Sequence, residues 1–254
     1  MILEAKDISV SLGGASILRG IDLDVGDNQW LVIIGPNGAG KTTLLNCIVK
    51  GVTYTGLIKL SGADIKTLKP RELARRVGFL AQMKFMDYSF TVEEIVRLGR
   101  YAHEKRGIFE FGAQNTESQA TVDDALRLTG LTHLKNSSAL TLSGGELQRM
   151  FLAQVLAQAP NLLLLDELSN HLDLIYQKRI FSLVREWVRS PGRAVISVSH
   201  DLGVAKYYAD DAILLNRGEL IARGMGDVFD AKTLSLAYGM DVRAWIKKLY
   251  ETWV

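Results

Sequence analysis

The chain has 254 residues, 48% of them hydrophobic and 23% charged, a balance that excludes a disordered chain and suffices to bury a stable core. With 30 basic and 28 acidic side chains the formal charge is +2, which gives no electrostatic footprint for nucleic acid or an acidic lipid surface. A single cysteine, Cys47, rules out an intrachain disulfide framework and fits a reducing compartment. The start, Met1–Asp7, has Glu4 and no apolar run, so it does not read as a signal peptide. No uncharged apolar stretch is long enough to cross a bilayer, so any work at a membrane is expected at its cytoplasmic face, through a partner.

In chain order, Ile2–Val10, Ile17–Val25 and Trp30–Ile34 read as strands, bounded by glycine or by Asp-Asn turn chemistry. A glycine-rich loop and a helix over about Lys41–Val49 follow, then strands at Gly56–Leu60 and Val77–Ala81. From Thr91 to about Ala102, and from about Thr116 to Leu131, apolar residues recur at helical spacing, with Glu104–Asn115 as a loop between them. Ser143 reads as the N-cap of a third helix, with Glu146 three residues on. Beyond Asn161, strands at Leu162–Leu165, Ala194–Ser199 and Ala212–Leu215 alternate with helices at about Leu172–Arg189 and Leu202–Tyr208. Helices alternating with apolar strands imply a parallel sheet covered on its faces. The last stretch, about Gly226–Val254, reads as helical, with Trp245 and Trp253 and no assigned role.

Three segments bear chemistry. Gly35-Pro-Asn-Gly-Ala-Gly-Lys-Thr42 matches the phosphate-binding loop and sits between a strand and a helix, the context that motif requires. Gly35, Gly38 and Gly40 let the backbone aim its amides at phosphate oxygens, Lys41 supplies a charge, and the Thr42 hydroxyl is a Mg²⁺ ligand. The strand Leu162–Leu165 ends at Asp166 and Glu167: the first is a carboxylate for the Mg²⁺ shell, the second a base for the attacking water. Leu142-Ser-Gly-Gly-Glu-Leu-Gln-Arg149 places a serine hydroxyl and glycine amides at a helix start, a second anion-binding device on the same chain. One nucleotide does not need two such devices from one subunit, so the second is expected to serve a nucleotide bound by another copy.

This string, between a phosphate loop and an acidic strand end, resembles the signature of ABC ATPases, and the resemblance covers essentially the whole chain. It implies an α/β fold: a P-loop NTPase core with a mostly parallel sheet, an N-terminal antiparallel β subdomain and a helical insertion. The corresponding spans are 1–86 and 141–225 for the core, 87–140 for the helical subdomain and 226–254 for the C-terminal extension. It also implies roles residue by residue. Gly35, Pro36, Asn37, Gly38, Ala39, Gly40, Lys41, Thr42 and Thr43 form the phosphate loop, Asp166 is the Mg²⁺-associated acid, and Glu167 is the catalytic base. Gln82 senses Mg²⁺ and the attacking water, and His200 is the switch at the γ-phosphate. Ser143, Gly144, Gly145 and Asp173 act across a dimer. The implied cofactors are ATP and Mg²⁺.

Within the family, Thr91–His103 and the pairing of SGGELQR with SNHLDL resemble cassettes of iron–siderophore, haem and cobalamin importers, with zinc and manganese importers similar. That implies a cassette homodimer under two permease copies, fed by an external binding protein. Met83–Phe90 would help form the groove for the permease's coupling helix; ordinary core packing is the competing reading of Phe85, Tyr88 and Phe90. Two positions depart from the family pattern. Leu12 stands where an aromatic residue usually stacks on adenine, and Leu168 where proline usually follows the base. The first implies that GTP competes with ATP better than usual, and the second a looser turn around Glu167, with restored proline raising or preserving activity. The rival classes are a soluble ABC ATPase outside transport, as in cluster assembly, and a nucleotide-binding regulator without turnover.

Overall fold

The computed structural model describes residues 1–81, 89–104, 116–168 and 173–251. In chain order the strands and helices are β1 (Leu3–Leu12), β2 (Ala15–Val25), β3 (Gln29–Ile34), α1 (Lys41–Ile48), β4 (Thr55–Leu60), β5 (Ala63–Asp64), α2 (Pro70–Arg76) and β6 (Val77–Leu80). Then come α3 (Val92–Leu98), α4 (Thr116–Leu128), α5 (Gly144–Ala157), β7 (Leu162–Asp166), α6 (Leu174–Val188), β8 (Ala194–Val198) and α7 (Leu202–Tyr208). The chain closes with β9 (Asp211–Asn216), β10 (Glu219–Arg223), α8 (Met225–Val228), α9 (Ala231–Tyr238) and α10 (Val242–Glu251). These elements form two compact units, Met1–Thr67 with Ala194–Val254, and Leu68–Arg193.

The first unit holds an antiparallel sheet in the order β2-β1-β4-β5. Along β1 the buried residues are Leu3, Ala5, Ile8 and Val10, so the alternation slips by one between Ala5 and Ile8. Asp7, at a φ of 50°, absorbs that slip, and the apolar face stays on one side across the irregularity. In the same unit β3 pairs in parallel with β8 and β9, and β10 adds antiparallel to β9. β3 is buried from Trp30 to Ile34 and β8 along its whole length, as continuous apolar strands of a covered parallel sheet must be. The C-terminal helices supply part of that cover: Val228, Leu234, Ala237 and Val242 pack with Val32, Ile34, Ala212 and Leu214.

In the second unit β6 pairs in parallel with β7, whose five residues are all buried. Helices α3, α4 and α5 pack on one another through Val92, Ile95, Val96, Val122, Ala125, Leu126, Met150, Leu152 and Ala153. α3 stops at Leu98 rather than running on to Ala102. The next residue, Gly99, lies so close to α5 that a Cβ there would sit 2.1 Å from the Gln154 carbonyl oxygen. Three elements have no counterpart in the pattern-based reading: β5, α2 and β10. α2 buries only Leu73 and β10 buries no residue, so neither has an apolar stripe to read. Among the described residues no helix is long and apolar enough to cross a membrane.

Candidate functional site

The phosphate loop belongs to the first unit and leaves the buried end of β3. Gly35 has a φ of 147°, and a Cβ there would meet the Leu215 carbonyl oxygen at 2.0 Å, so no side chain fits. Gly38, at a φ of 76°, is the opposite case: no atom lies within 4 Å of where its Cβ would be. An anion can therefore approach the backbone there without steric obstruction. Gly40 is the left-handed N-cap of α1, and Lys41 is that helix's first residue. The Lys41 side chain is buried and arches back over the loop, its Nζ donating to the carbonyls of Gly35 at 2.7 Å and Pro36 at 2.9 Å. Asn37 and Thr42 are exposed, Pro36 and Thr43 half-buried, and Ala39 is buried with its carbonyl accepting from the Gly218 amide.

His200 follows β8 in the same unit. Just before it the Ser199 amide donates to the Ile33 carbonyl at 3.2 Å, so His200 and the phosphate loop leave the same carboxyl end of two parallel strands. His200 is exposed, and Asp201 beside it caps α7 by accepting from the Val204 amide. Leu12 ends β1, 47% exposed, ahead of the left-handed pair Gly13 and Gly14.

The second unit carries the acidic residues. Asp166 is the buried last residue of β7. Glu167, half-buried, has a φ of 57°, left-handed for a residue with a Cβ, a geometry that costs about 1–2 kcal/mol and persists only where its surroundings hold it. Leu168 is buried, and its carbonyl accepts from Gln148 Nε2 at 2.6 Å. Ser143 caps α5 as its position and that of Glu146 predict. Its amide and hydroxyl donate to Glu146 Oε2 at 2.9 and 2.7 Å, and its Oγ accepts from the Glu146 amide. The bonds from Ser143 hold the Glu146 carboxyl below the usual carboxylate range. Gly144 is exposed and Gly145 half-buried at the helix start. Asp173 caps α6, its Oδ1 accepting from the Tyr176 amide at 2.8 Å.

The first unit thus contains Gly35–Thr43, His200 and Leu12, and the second contains Ser143–Gly145, Asp166, Glu167 and Asp173. Gln82 lies outside the described residues, as do residues 83–88, including Phe85 and Tyr88. Phe90 is 45% exposed, so core packing does not account for it. Two residues that the sequence reading treated only as letters of the signature are buried and engaged, Gln148 and Arg149. Arg149 Nη1 donates to the Thr129 carbonyl at 3.1 Å, and its guanidinium lies 4.2 Å from the Tyr176 ring centroid. Neither contact leaves a trace in spacing or composition.

The ABC transporter family profile matches residues 18–170. The haemin import ATP-binding protein HmuV of Jannaschia sp. is 38% identical over 94% of this chain and 87% of its own length. The ferric enterobactin transport ATP-binding protein FepC of Escherichia coli is 35% identical over 94% and 87%. An ABC transporter ATP-binding protein of Bacillus subtilis, YvrA, is 38% identical over 85% of this chain, which spans about half (48%) of that longer protein. Among solved structures, an ATP-binding cassette of an ABC transporter in its ADP conformation superposes with a TM-score of 0.81 at 24% identity, covering 94% of this chain and 98% of that one. With its phosphate loop, its signature helix and two relatives of 35% and 38% identity matched over 87% of their own length, the chain belongs to the ABC transporter ATP-binding family.

Proposed function

We propose that this chain is the Mg²⁺-dependent ATPase of an importer, working as a homodimer beneath a separate membrane-spanning permease. The observation that carries the reading is the phosphate loop: a complete motif between buried β3 and α1, with Gly35 packed where no side chain fits and Gly38 open to an approaching anion. The loop amides and the start of α1 bind the phosphates, and the Lys41 ammonium exchanges its carbonyl partners for phosphate oxygens. Thr42 and Asp166 would hold Mg²⁺. A hydroxyl and a buried carboxylate are hard oxygen donors, and one or two of these suffice for an ion that also takes phosphates and water. When bound, the ion neutralises charge on the transferred phosphoryl group. Glu167 orients the attacking water and accepts its proton, and the fixed left-handed backbone at that residue supports a positioning role. His200 contacts the γ-phosphate, and Gln82 completes the water site. Ser143, Gly144, Gly145 and Asp173 serve the nucleotide held by the second copy, which accounts for two anion-binding helix starts on one chain.

The cargo is a metal chelate of the iron–siderophore, haem or cobalamin type, delivered to the permease by an external binding protein at the other membrane face. Relatives named for haemin and ferric enterobactin transport support this class, over zinc or manganese import. The test is steady-state phosphate release by the purified chain, alone and with its permease, against Glu167→Gln. Turnover that falls by about 10³-fold in the variant and responds to the permease supports a transport motor. Absence of turnover in both settings would point instead to a nucleotide-binding regulator.

A further inference from the structure

We infer that Gln148, on the helix that begins with the signature, is a positioning residue for Glu167. The inference rests on the ATPase reading above and deepens it.

Four observations within the second unit carry it. Gln148 is 4% exposed, and its Nε2 donates to the Leu168 carbonyl at 2.6 Å, across twenty residues of sequence. Leu168 directly follows Glu167, whose backbone is held at a φ of 57°. Leucine at 168 leaves its own φ free, where a proline ring would lock it. Restraint of this turn must then come from contacts, and the Gln148 amide supplies one inside the protein. Finally, α5 is anchored on this side: Arg149, the next residue, reaches the Thr129 carbonyl and stacks on Tyr176 in the first turn of α6. The donor on Gln148 is thus presented from a fixed helix rather than from a mobile side chain at the surface.

The same helix begins one turn earlier at Ser143, Gly144 and Gly145. The Gln148 hydrogen bond thus ties the signature helix to the turn that bears Glu167. Gln148 acts through the backbone at 168.

The experiment uses the full chain with its permease. Gln148→Met keeps the side chain's length and removes the donor; Gln148→Asn keeps the amide but falls short of the Leu168 carbonyl. Both are expected to lose roughly tenfold to a hundredfold in kcat, while KM for ATP stays within about threefold. In a Glu167→Ala background, single-turnover release from radiolabelled ATP should change by less than about twofold on adding Gln148→Met, because the group being positioned is gone. Wild-type kcat in both variants would overturn the inference, and so would equal losses in the presence and absence of Glu167, the mark of a merely structural role. Failure of the wild-type chain to hydrolyse ATP would instead sink the ATPase reading on which it rests.

Discussion

The sequence reading marks Leu12 and Leu168 as departures from the family pattern, and they sit in opposite environments. Leu12 is half-exposed at the end of β1, so an aromatic side chain would fit there without repacking. Leu12→Tyr should tighten ATP binding by roughly tenfold, the value of one base–aromatic stack. In the wild-type chain GTP should compete with ATP nearly on equal terms, measured by displacement of a fluorescent nucleotide; a strong ATP preference would show that another group reads the base. Leu168 is buried, and the residue before it is left-handed. Proline disfavours α-region backbone in its predecessor and would remove buried side-chain atoms here. The expectation that restored proline preserves activity therefore reverses: Leu168→Pro should lower kcat roughly fivefold, about 1 kcal/mol in the barrier. Unchanged or faster steady-state turnover would show that the turn accepts a ring.

At the scale of elements, α5 shows what was legible and what was not. Its start was readable, because Ser143 and Glu146 satisfy the first amides by local chemistry that any sequence shows. Its inner face was not, because Gln148 and Arg149 look like ordinary polar helix residues until Leu168, Thr129 and Tyr176 are seen beside them. The same division holds elsewhere. β3, β7 and β8 announce themselves as apolar runs, and the phosphate loop as a motif. α2 and β10 bury too little to leave a pattern, and α3 gives way after Leu98 to three-residue turns that no periodicity encodes. Ser143→Ala should destabilise the chain by about 1 kcal/mol at neutral pH, measured by urea unfolding. The pH dependence follows from Glu146, whose folded-state pKa is held below its ordinary 4.5 by the Ser143 hydrogen bonds. A carboxyl lowered on folding contributes stability fully present above its ordinary value and lost as pH falls through the lowered one. The gap between wild type and variant should accordingly narrow as the pH drops below about 4.

At the scale of the whole molecule, the first unit joins segments from the two ends of the chain, and Arg223 is one of its clasps. Its guanidinium bonds Asp24 Oδ1 at 2.6 Å, the Asp24 carbonyl at 3.2 Å and Asp211 Oδ2 at 3.3 Å, tying the antiparallel sheet to β9 and β10. The hydrogen bond from Arg223 holds the Asp24 carboxyl below its usual range. Because Arg223 and Asp24 are each more than a third exposed, water screens the pair. Arg223→Ala should therefore cost only about 1 kcal/mol in urea unfolding, less at high salt. A loss several times larger would mean that this clasp governs assembly of the unit.

The strand feeding the phosphate loop also carries an optical gauge. Trp30 is 1% exposed, its indole Nε1 donates to Ser197 Oγ at 2.8 Å, and its ring lies 6.1 Å from that of Tyr208. An indole sealed from water emits at the blue end of its range, whereas Trp245, 51% exposed, emits further to the red. With Trp187, Trp245 and Trp253 replaced by phenylalanine, the remaining tryptophan emission would come from Trp30 in the parallel sheet alone. Unfolding of the first unit, which brings this indole into water, should then shift the emission to the red, read in an unlabelled sample by wavelength.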